Sequence, residues 1–303
     1  MKIIVTGGAG FIGSHIVDAY VKAGHRVVVI DNLATGFRRN VHSKAKFYKA
    51  DIRDAKKIEE IFRKERPNVV NHHAAIAEVV KSLRDPLPTL EVNVTGTVNL
   101  LLASGRYRVK KFIFSSTGGA IYGEPKKIPA DESTEPVPLS PYGLSKHLGE
   151  LVIRFYAKVY GFNYLIFRYP NVYGPRQNPK GEAGVVAIFG GLMKSGKRPT
   201  IFGDGTKTRD YVYVEDIARA NVLGLRKVKN DVLNLGWGKK VSDRQIFNTI
   251  AQQFHFKGRP IYAPYRKGEV YQIAITNARA KKTLGWTPKV KFEEGVKRTI
   301  ETL

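Results

Sequence analysis

The chain has 303 residues, 43% hydrophobic and 25% charged, an ordinary globular composition that excludes disordered, collagenous and low-complexity classes. It contains no cysteine, which rules out disulfides, thiolate catalysis and cysteine metal sites. No apolar run approaches the roughly 20 residues of a membrane span. Met1 passes straight into Ile3-Ile4-Val5 without a signal-peptide pattern, so the expectation is a cytoplasmic protein.

Lys and Arg number 51 against 26 Asp and Glu, a net charge of +25. Such a charge attracts anions, including nucleic acid. The basic residues are spread along the chain with no long block, so the reading is a solvated basic surface with no nucleic-acid or membrane partner.

Taken in chain order, apolar β-branched runs alternate with helix-like stretches. Strands are predicted at 2–6, 26–30, 46–50, 69–73, 111–116 and 164–168. Helical patterns occupy 14–23, 55–65, 88–104 and 142–160. Alternation of this kind, with near-continuous apolar strands, predicts an α/β fold. Its centre is a Rossmann-type, doubly wound parallel sheet covered on both faces. After residue 168 Gly and Pro become frequent and the elements shorten, until a helix-like stretch 214–226 and a strand-like 232–235 restore the alternation of the first half. The expected division is 1–168 plus 209–237 for the sheet domain. A smaller C-terminal α/β substrate lobe takes 169–208 plus 238–303.

Thr6-Gly7-Gly8-Ala9-Gly10-Phe11-Ile12-Gly13 follows a strand and opens a helix. Glycines at 7, 10 and 13 permit a tight turn, close approach of backbone N–H groups to a pyrophosphate, and close packing of helix on strand. Asp31 ends the second strand 18 residues after Gly13, the placement of a carboxylate that binds an adenine ribose. It accepts from both ribose hydroxyls and repels a 2′-phosphate, so NAD is expected over NADP. Asp51-Ile52, after the third strand, would flank the adenine.

Three Tyr-x-x-x-Lys pairs occur: 107/111, 122/126 and 142/146. The chemistry needs the ammonium one helical turn from the phenol. Tyr122/Lys126 spans Gly123 and Pro125, and Tyr107/Lys111 runs into a strand, where the two side chains would lie about 13 Å apart. Tyr142/Lys146 follows Ser140-Pro141, a helix-start signal, and precedes a 3.6-period stripe of Leu144, Leu148, Leu151, Val152, Phe155 and Val159. Lys146 and a positive nicotinamide should lower the phenol toward neutrality and make Tyr142 a general base. Ser115-Ser116-Thr117 ends the preceding strand, at the carboxyl edge where open α/β sheets bind ligands. His72-His73 at a strand end is read as packed or cofactor-adjacent, with no metal site.

Together these residues resemble the extended short-chain dehydrogenase/reductase family, most closely its UDP-glucose 4-epimerases. The resemblance runs through TGGAGFIG (6–13), DNLATG (31–36), HHAA (72–75), NVTGTVN (93–99), SSTGGAIYGEP (115–125), SPYGLSK (140–146), RYPNVYGPRQ (168–177), FGDGTKTRDYVYVEDIA (202–218) and LGWTP (284–288).

It implies Tyr142 as base, Lys146 as the group that tunes it and holds the nicotinamide ribose, and Thr117 as hydroxyl partner. Gly7, Gly10, Phe11, Ile12, Gly13, Asp31, Asn32, Asp51, Ile52, Ala74, Ala75, Asn93 and Ser115 would line the NAD site. Asn171, Val185 and Val186 would meet a UDP-sugar. Arg209 and Arg266 would grip its diphosphate and Glu269 a ribose hydroxyl, while Ile273 falls where the family gates sugar size.

Gly118-Gly119 stand where related dehydratases carry Asp-Glu, so C4 epimerisation is favoured over elimination. The resemblance implies interconversion of UDP-galactose and UDP-glucose through a 4-keto intermediate. UDP-N-acetylhexosamine or UDP-uronate epimerisation and 4-ketosugar reduction stand as alternatives, and a non-catalytic NAD protein on nucleic acid as another class. A homodimer is implied through the helices near 92–103 and after Tyr142, with Leu100, Leu101, Leu148, Val152 and Phe155 serving core and interface. Pro170, His73, Glu269 and Thr276 depart from the family pattern.

Overall fold

The computed structural model describes residues 1–179, 184–266 and 268–303. The first half alternates strand and helix: β1 (Lys2–Thr6), α1 (Phe11–Lys22), β2 (Arg26–Asp31), β3 (Lys46–Lys49), α2 (Ala55–Glu65), β4 (Val69–His72), α3 (Val79–Arg84), α4 (Pro86–Leu90), α5 (Gly96–Arg106) and β5 (Lys111–Thr117). Then come α6 (Pro141–Tyr160), β6 (Asn163–Tyr169), β7 (Asn171–Tyr173), α7 (Val185–Lys194), β8 (Thr200–Phe202), β9 (Thr208–Arg209), β10 (Tyr211–Tyr213) and α8 (Val214–Gly224). The chain closes with β11 (Asp231–Asn234), β12 (Val241–Ser242), α9 (Asp243–Phe254), β13 (Ile261–Ala263), α10 (Ala278–Leu284) and α11 (Phe292–Ile300).

Seven strands form one parallel sheet in the order β11-β6-β5-β4-β1-β2-β3. The period-two rule explains why its strands are apolar throughout. Ile3, Val5, Val27 and Val29 pack on one face with Ile16, Val17 and Tyr20 of α1. Ile4, Val28 and Ile30 pack on the other with Ile58 and Phe62 of α2 and Leu100 and Leu101 of α5. The strand order reverses between β1 and β4, which makes the carboxyl edge there a crevice.

A third cluster joins Tyr173, Val186, Phe189, Tyr211, Ile246 and Val296 under α7, α9 and α11. Ala280, Leu284 and Trp286, expected in this smaller body, instead join the core of the large sheet. Trp286 reaches it by donating its indole N–H to the Asp216 carbonyl at 2.8 Å.

The predicted helix 88–104 is interrupted by a π turn, Glu91–Thr95, between α4 and α5. The pattern missed α3 because it is a six-residue helix without apolar periodicity. Helix α6 starts as expected: Ser140 Oγ accepts the Gly143 N–H, Pro141 follows, and Gly161 in left-handed conformation ends it. Leu100 and Leu101 are wholly buried, so they belong to the core and offer nothing to an interface. Leu144, Leu151, Phe155 and Val159 face outward along α6, with Phe155 62% exposed. Among the described residues no helix is long and apolar enough to cross a membrane.

Candidate active site

The glycine loop turns at Gly7, whose φ of +69° suits glycine, and a Cβ there would lie 2.6 Å from the Ala74 nitrogen. A Cβ on Gly13 would strike the Gly7 carbonyl. Beyond Gly10 the loop is open, since a Cβ there would meet only the Gly7 oxygen. No side chain caps the first turn of α1, so its N–H groups are left to an anion.

Asp31 Oδ2 accepts the Ala9 N–H at 3.0 Å and Oδ1 the Leu33 N–H at 2.8 Å. The carboxylate is thereby fixed beside the loop with lone pairs to spare for a diol. An open glycine turn, an uncapped helix start and a fixed carboxylate fit a dinucleotide.

Other expected cofactor residues have partners within the chain. Asp51 is held by the Arg53 guanidinium, first, and by Asn32, which keep its carboxyl down at about 2. Ile52 sends its side chain into the core and its carbonyl accepts from Asn99. Asn93, buried in the π turn, bonds the backbone of Ile76 in both directions and donates to Ser145 Oγ; its amide braces the 74–76 loop against α6. The Ala74 N–H donates to Thr6 Oγ1, while Ile12 and Phe11 sit at the loop, Phe11 edge-on to His15.

His72 is bonded by Thr6 and Thr97. His73 stacks on Tyr169 and bonds its hydroxyl, and burial drops its imidazole to about 3. Burial lowers His72 as well, so the charged form is disfavoured at both imidazoles. Among the described residues no cluster of His, Asp or Glu could hold a metal.

The Tyr142 phenol faces the Thr117 hydroxyl at the end of β5, close enough for that hydroxyl to favour the phenolate. The Lys146 ammonium, buried one turn along α6, donates to the Ser115 carbonyl at 2.8 Å and lies 4.8 Å from the Phe114 ring centre. Contrary to expectation, the chain's own groups do not lower the phenol: burial pushes it up to about 12, opposed only by the Thr117 bond. Burial lowers Lys146 to about 7. In the protein alone the amine therefore gives up its proton before the phenol does.

Two supports carry no signal in the motifs. Ser82 of α3 accepts the Tyr142 backbone N–H on its hydroxyl at 3.2 Å. Glu150, four residues past Lys146, is clasped by Arg168 through both carboxylate oxygens and by Ser116 Oγ at 2.6 Å. The i, i+4 spacing from Lys146 could have pointed to Glu150; nothing local points to Ser82.

Across the crevice, Asn171 opens β7 with its amide oxygen 3.2 Å from where a Gly119 Cβ would stand. No acid follows Thr117; a Cβ on Gly118 would strike Ile275. Val185 begins α7, and Val186 is buried in the third core cluster. Arg209 Nη1 donates to the Thr208 and Tyr271 carbonyls. Arg266 lies 4.2 Å over the Phe202 ring and pairs with Glu269. Its Nε and Thr208 Oγ1 are buried without partners among the described residues. Ile273 is buried with Ile121, Tyr122 and Val270.

The chain belongs to the NAD dependent epimerase/dehydratase family, whose sequence model matches residues 3–236. NAD is its cofactor, and the class of reaction is nucleotide-sugar 4-epimerisation. It is 48% identical to the UDP-glucose 4-epimerase of Thermotoga maritima solved with UDP-glucose, with a TM-score of 0.98, covering 100% of this chain and 98% of that one. The Thermus thermophilus UDP-glucose 4-epimerase in complex with NAD is 42% identical, with a TM-score of 0.95 and the same coverage. A putative UDP-glucose 4-epimerase of Methanocaldococcus jannaschii is 47% identical over 98% of this chain and 97% of its own.

Proposed function

We propose that this chain interconverts UDP-galactose and UDP-glucose by reversible oxidation at C4. The observation that carries the reading is the Tyr142 phenol beside Thr117 on a helix that buries Lys146 one turn on against the Ser115 carbonyl, followed by Gly118-Gly119 with no carboxylate for an elimination. When bound, NAD supplies a hydride acceptor that gives the hydride back within one turnover.

The chain's residues do the rest. Tyr142 takes the proton from the C4 hydroxyl, and Thr117 shares that bond and orients it. Lys146, held on the Ser115 carbonyl, supplies positive charge beside the phenol and a donor for the nicotinamide ribose. After the 4-keto sugar presents its other face, Tyr142 returns the proton to O4. Both faces must be reachable, so the grip belongs on the nucleotide: Arg209 and Arg266 on the diphosphate, Glu269 on the ribose. Residues 1–168 and 209–237 would hold NAD, and 169–208 with 238–303 the sugar nucleotide, with Arg209 reaching the nucleotide from the boundary between them.

The outward apolar stripe of α6, with Leu102 of α5, supports a homodimer through these helices. Sedimentation at micromolar concentration checks it; a monomer overturns it.

The experiment is incubation of the NAD-loaded enzyme with UDP-galactose, UDP-N-acetylgalactosamine and UDP-galacturonate without added reductant, followed by separation of products. Turnover of UDP-galactose above the others supports the reading. Preference for either of the others replaces the substrate, and no turnover with salt-sensitive RNA binding replaces the class.

A further inference from the structure

Four ionised side chains run in a line beside the candidate nucleotide grip. Lys207 is buried just before β9, its Nζ 2.5 Å from Glu269 Oε2 and 3.6 Å from Asp243 Oδ2. Glu269 turns its other oxygen to Arg266. Asp243 begins α9, and its backbone N–H donates to the Lys207 carbonyl at 3.1 Å. Arg209, two residues along the chain from Lys207, bonds only carbonyl oxygens and forms no ion pair among the described residues.

We infer that Lys207 is a positioning residue of the nucleotide site: its ammonium neutralises Glu269 and Asp243 so that a diphosphate can lie against Arg209 and Arg266. This rests on the proposed UDP-sugar reading. Asp243 and Glu269 contribute two negative charges; Lys207, Arg209 and Arg266 contribute three positive ones. With Lys207 the group carries one surplus positive charge before a ligand enters. Without it the group is neutral, Arg266 is left as the ion-pair partner of Glu269 among the described residues, and two partly desolvated carboxylates flank the path of an entering dianion. Like charges in such a setting disfavour ligand binding strongly.

Burial presses Glu269 upward, yet the Lys207 hydrogen bond and charge, with Arg266 and Arg209, hold it below the usual carboxylate range. Glu269 is therefore an acceptor through the physiological range, suited to a ribose hydroxyl. Lys207 touches no reacting atom; it acts through Glu269.

The test is calorimetric binding of UDP to the NAD-loaded enzyme. Lys207→Gln keeps hydrogen bonding and removes the charge, and Lys207→Arg keeps the charge if the Gln variant folds poorly. Lys207→Gln should weaken UDP at least about tenfold, as expected for a close charge pair at a binding site; Lys207→Arg should stay within about threefold. In a Glu269→Gln background, Lys207→Gln should cost clearly less than in the wild type, because the nearer of the two carboxylates it answered is gone. In turnover, KM should rise while kcat holds.

An equal loss in both backgrounds, or a loss in kcat alone, overturns the charge-balancing role and leaves a brace for α9. UDP binding untouched by Lys207→Gln overturns the inference while leaving the nucleotide reading intact. A wild-type enzyme that does not bind UDP overturns both.

Discussion

The two sides of the crevice are built differently. On the cofactor side the side chains that shape the crevice are braced by the chain itself: Asp31 by two N–H groups, Asn93 by Ile76 and Ser145, His72 by two threonines; His73 Nδ1 and the first-turn N–H groups of α1 stay open there. On the proposed nucleotide side, Thr208 Oγ1 and Arg266 Nε are buried without partners among the described residues, and charges are strung in a line. Side chains braced in this way are held in place before a ligand arrives. A site with orphan donors is completed by its ligand, because each unmet group carries a desolvation cost of about 1–3 kcal/mol that binding can relieve. The first suits a cofactor retained through many turnovers, the second a substrate that must come and go.

The largest expected effect lies where the two sides meet. Tyr142→Phe should lower kcat by at least about 100-fold, the usual scale of a lost general base. NAD released on denaturation should remain stoichiometric, because the glycine loop and Asp31 are untouched. Near-wild-type turnover would remove Tyr142 from the chemistry.

Lys146 gives the next effect, in turnover and in stability. Turnover should rise with pH as the Tyr142 phenol gives up its proton beside the Lys146 ammonium. In Lys146→Met that rise should move upward toward the phenol's own value near 12. For stability, Lys146 is lowered from 10.5 to about 7 on folding, so between those values the unfolded chain binds more protons. Stability therefore grows as pH rises across that window, and is lost as pH falls toward 7. Lys146→Met should raise Tm at pH 7, with the gain fading above pH 10.5. A pH-independent Tm difference would show that the lysine is not desolvated.

A smaller change should follow on the cofactor side from Asp31→Asn. One amide oxygen can replace a carboxylate oxygen, but the amide nitrogen then faces the N–H of Ala9 or Leu33. The cost is one buried unmet pair, about 1–3 kcal/mol, read as a lower Tm. NAD should loosen while NADP gains relative to it. Unchanged preference in a NAD against NADP titration would remove the ribose role.

How far the sequence reaches follows the same divide. β1, α1, β2, α2 and α6 are legible because local signals agree there: period-two apolar runs, a Ser-Pro start, glycine at turns. The Tyr142–Thr117 contact is legible because a strand end and a helix start are both local features. What escapes is set by long-range packing. The π turn at Glu91–Thr95 breaks a pattern that reads as one helix. Ser82 reaches Tyr142 across 60 residues, and Lys207 reaches Glu269 across 62. The phenol's upward displacement escapes as well, since burial, the dominant cause, is a property of the folded chain.

The smallest effect tests the sugar end. Ile273 is 2% exposed and packs with Ile121, Tyr122, Ala130, Val270 and Ile275; as a wall of the proposed sugar pocket it would act by shape alone, since its side chain donates no hydrogen bond. A pocket wall of this kind discriminates weakly; a methylene or two is worth about 1–3 kcal/mol. Wild-type enzyme should therefore prefer UDP-galactose to UDP-N-acetylgalactosamine by about 10–200-fold in kcat/KM. Ile273→Ser removes volume from the wall and should narrow that ratio, mainly by improving the N-acetylated sugar. It should also lower Tm, because a cavity opens beside Tyr122 and Val270. The two readouts separate the explanations. A lower Tm with an unchanged ratio makes Ile273 core packing only, and places the limit on sugar size elsewhere in the crevice.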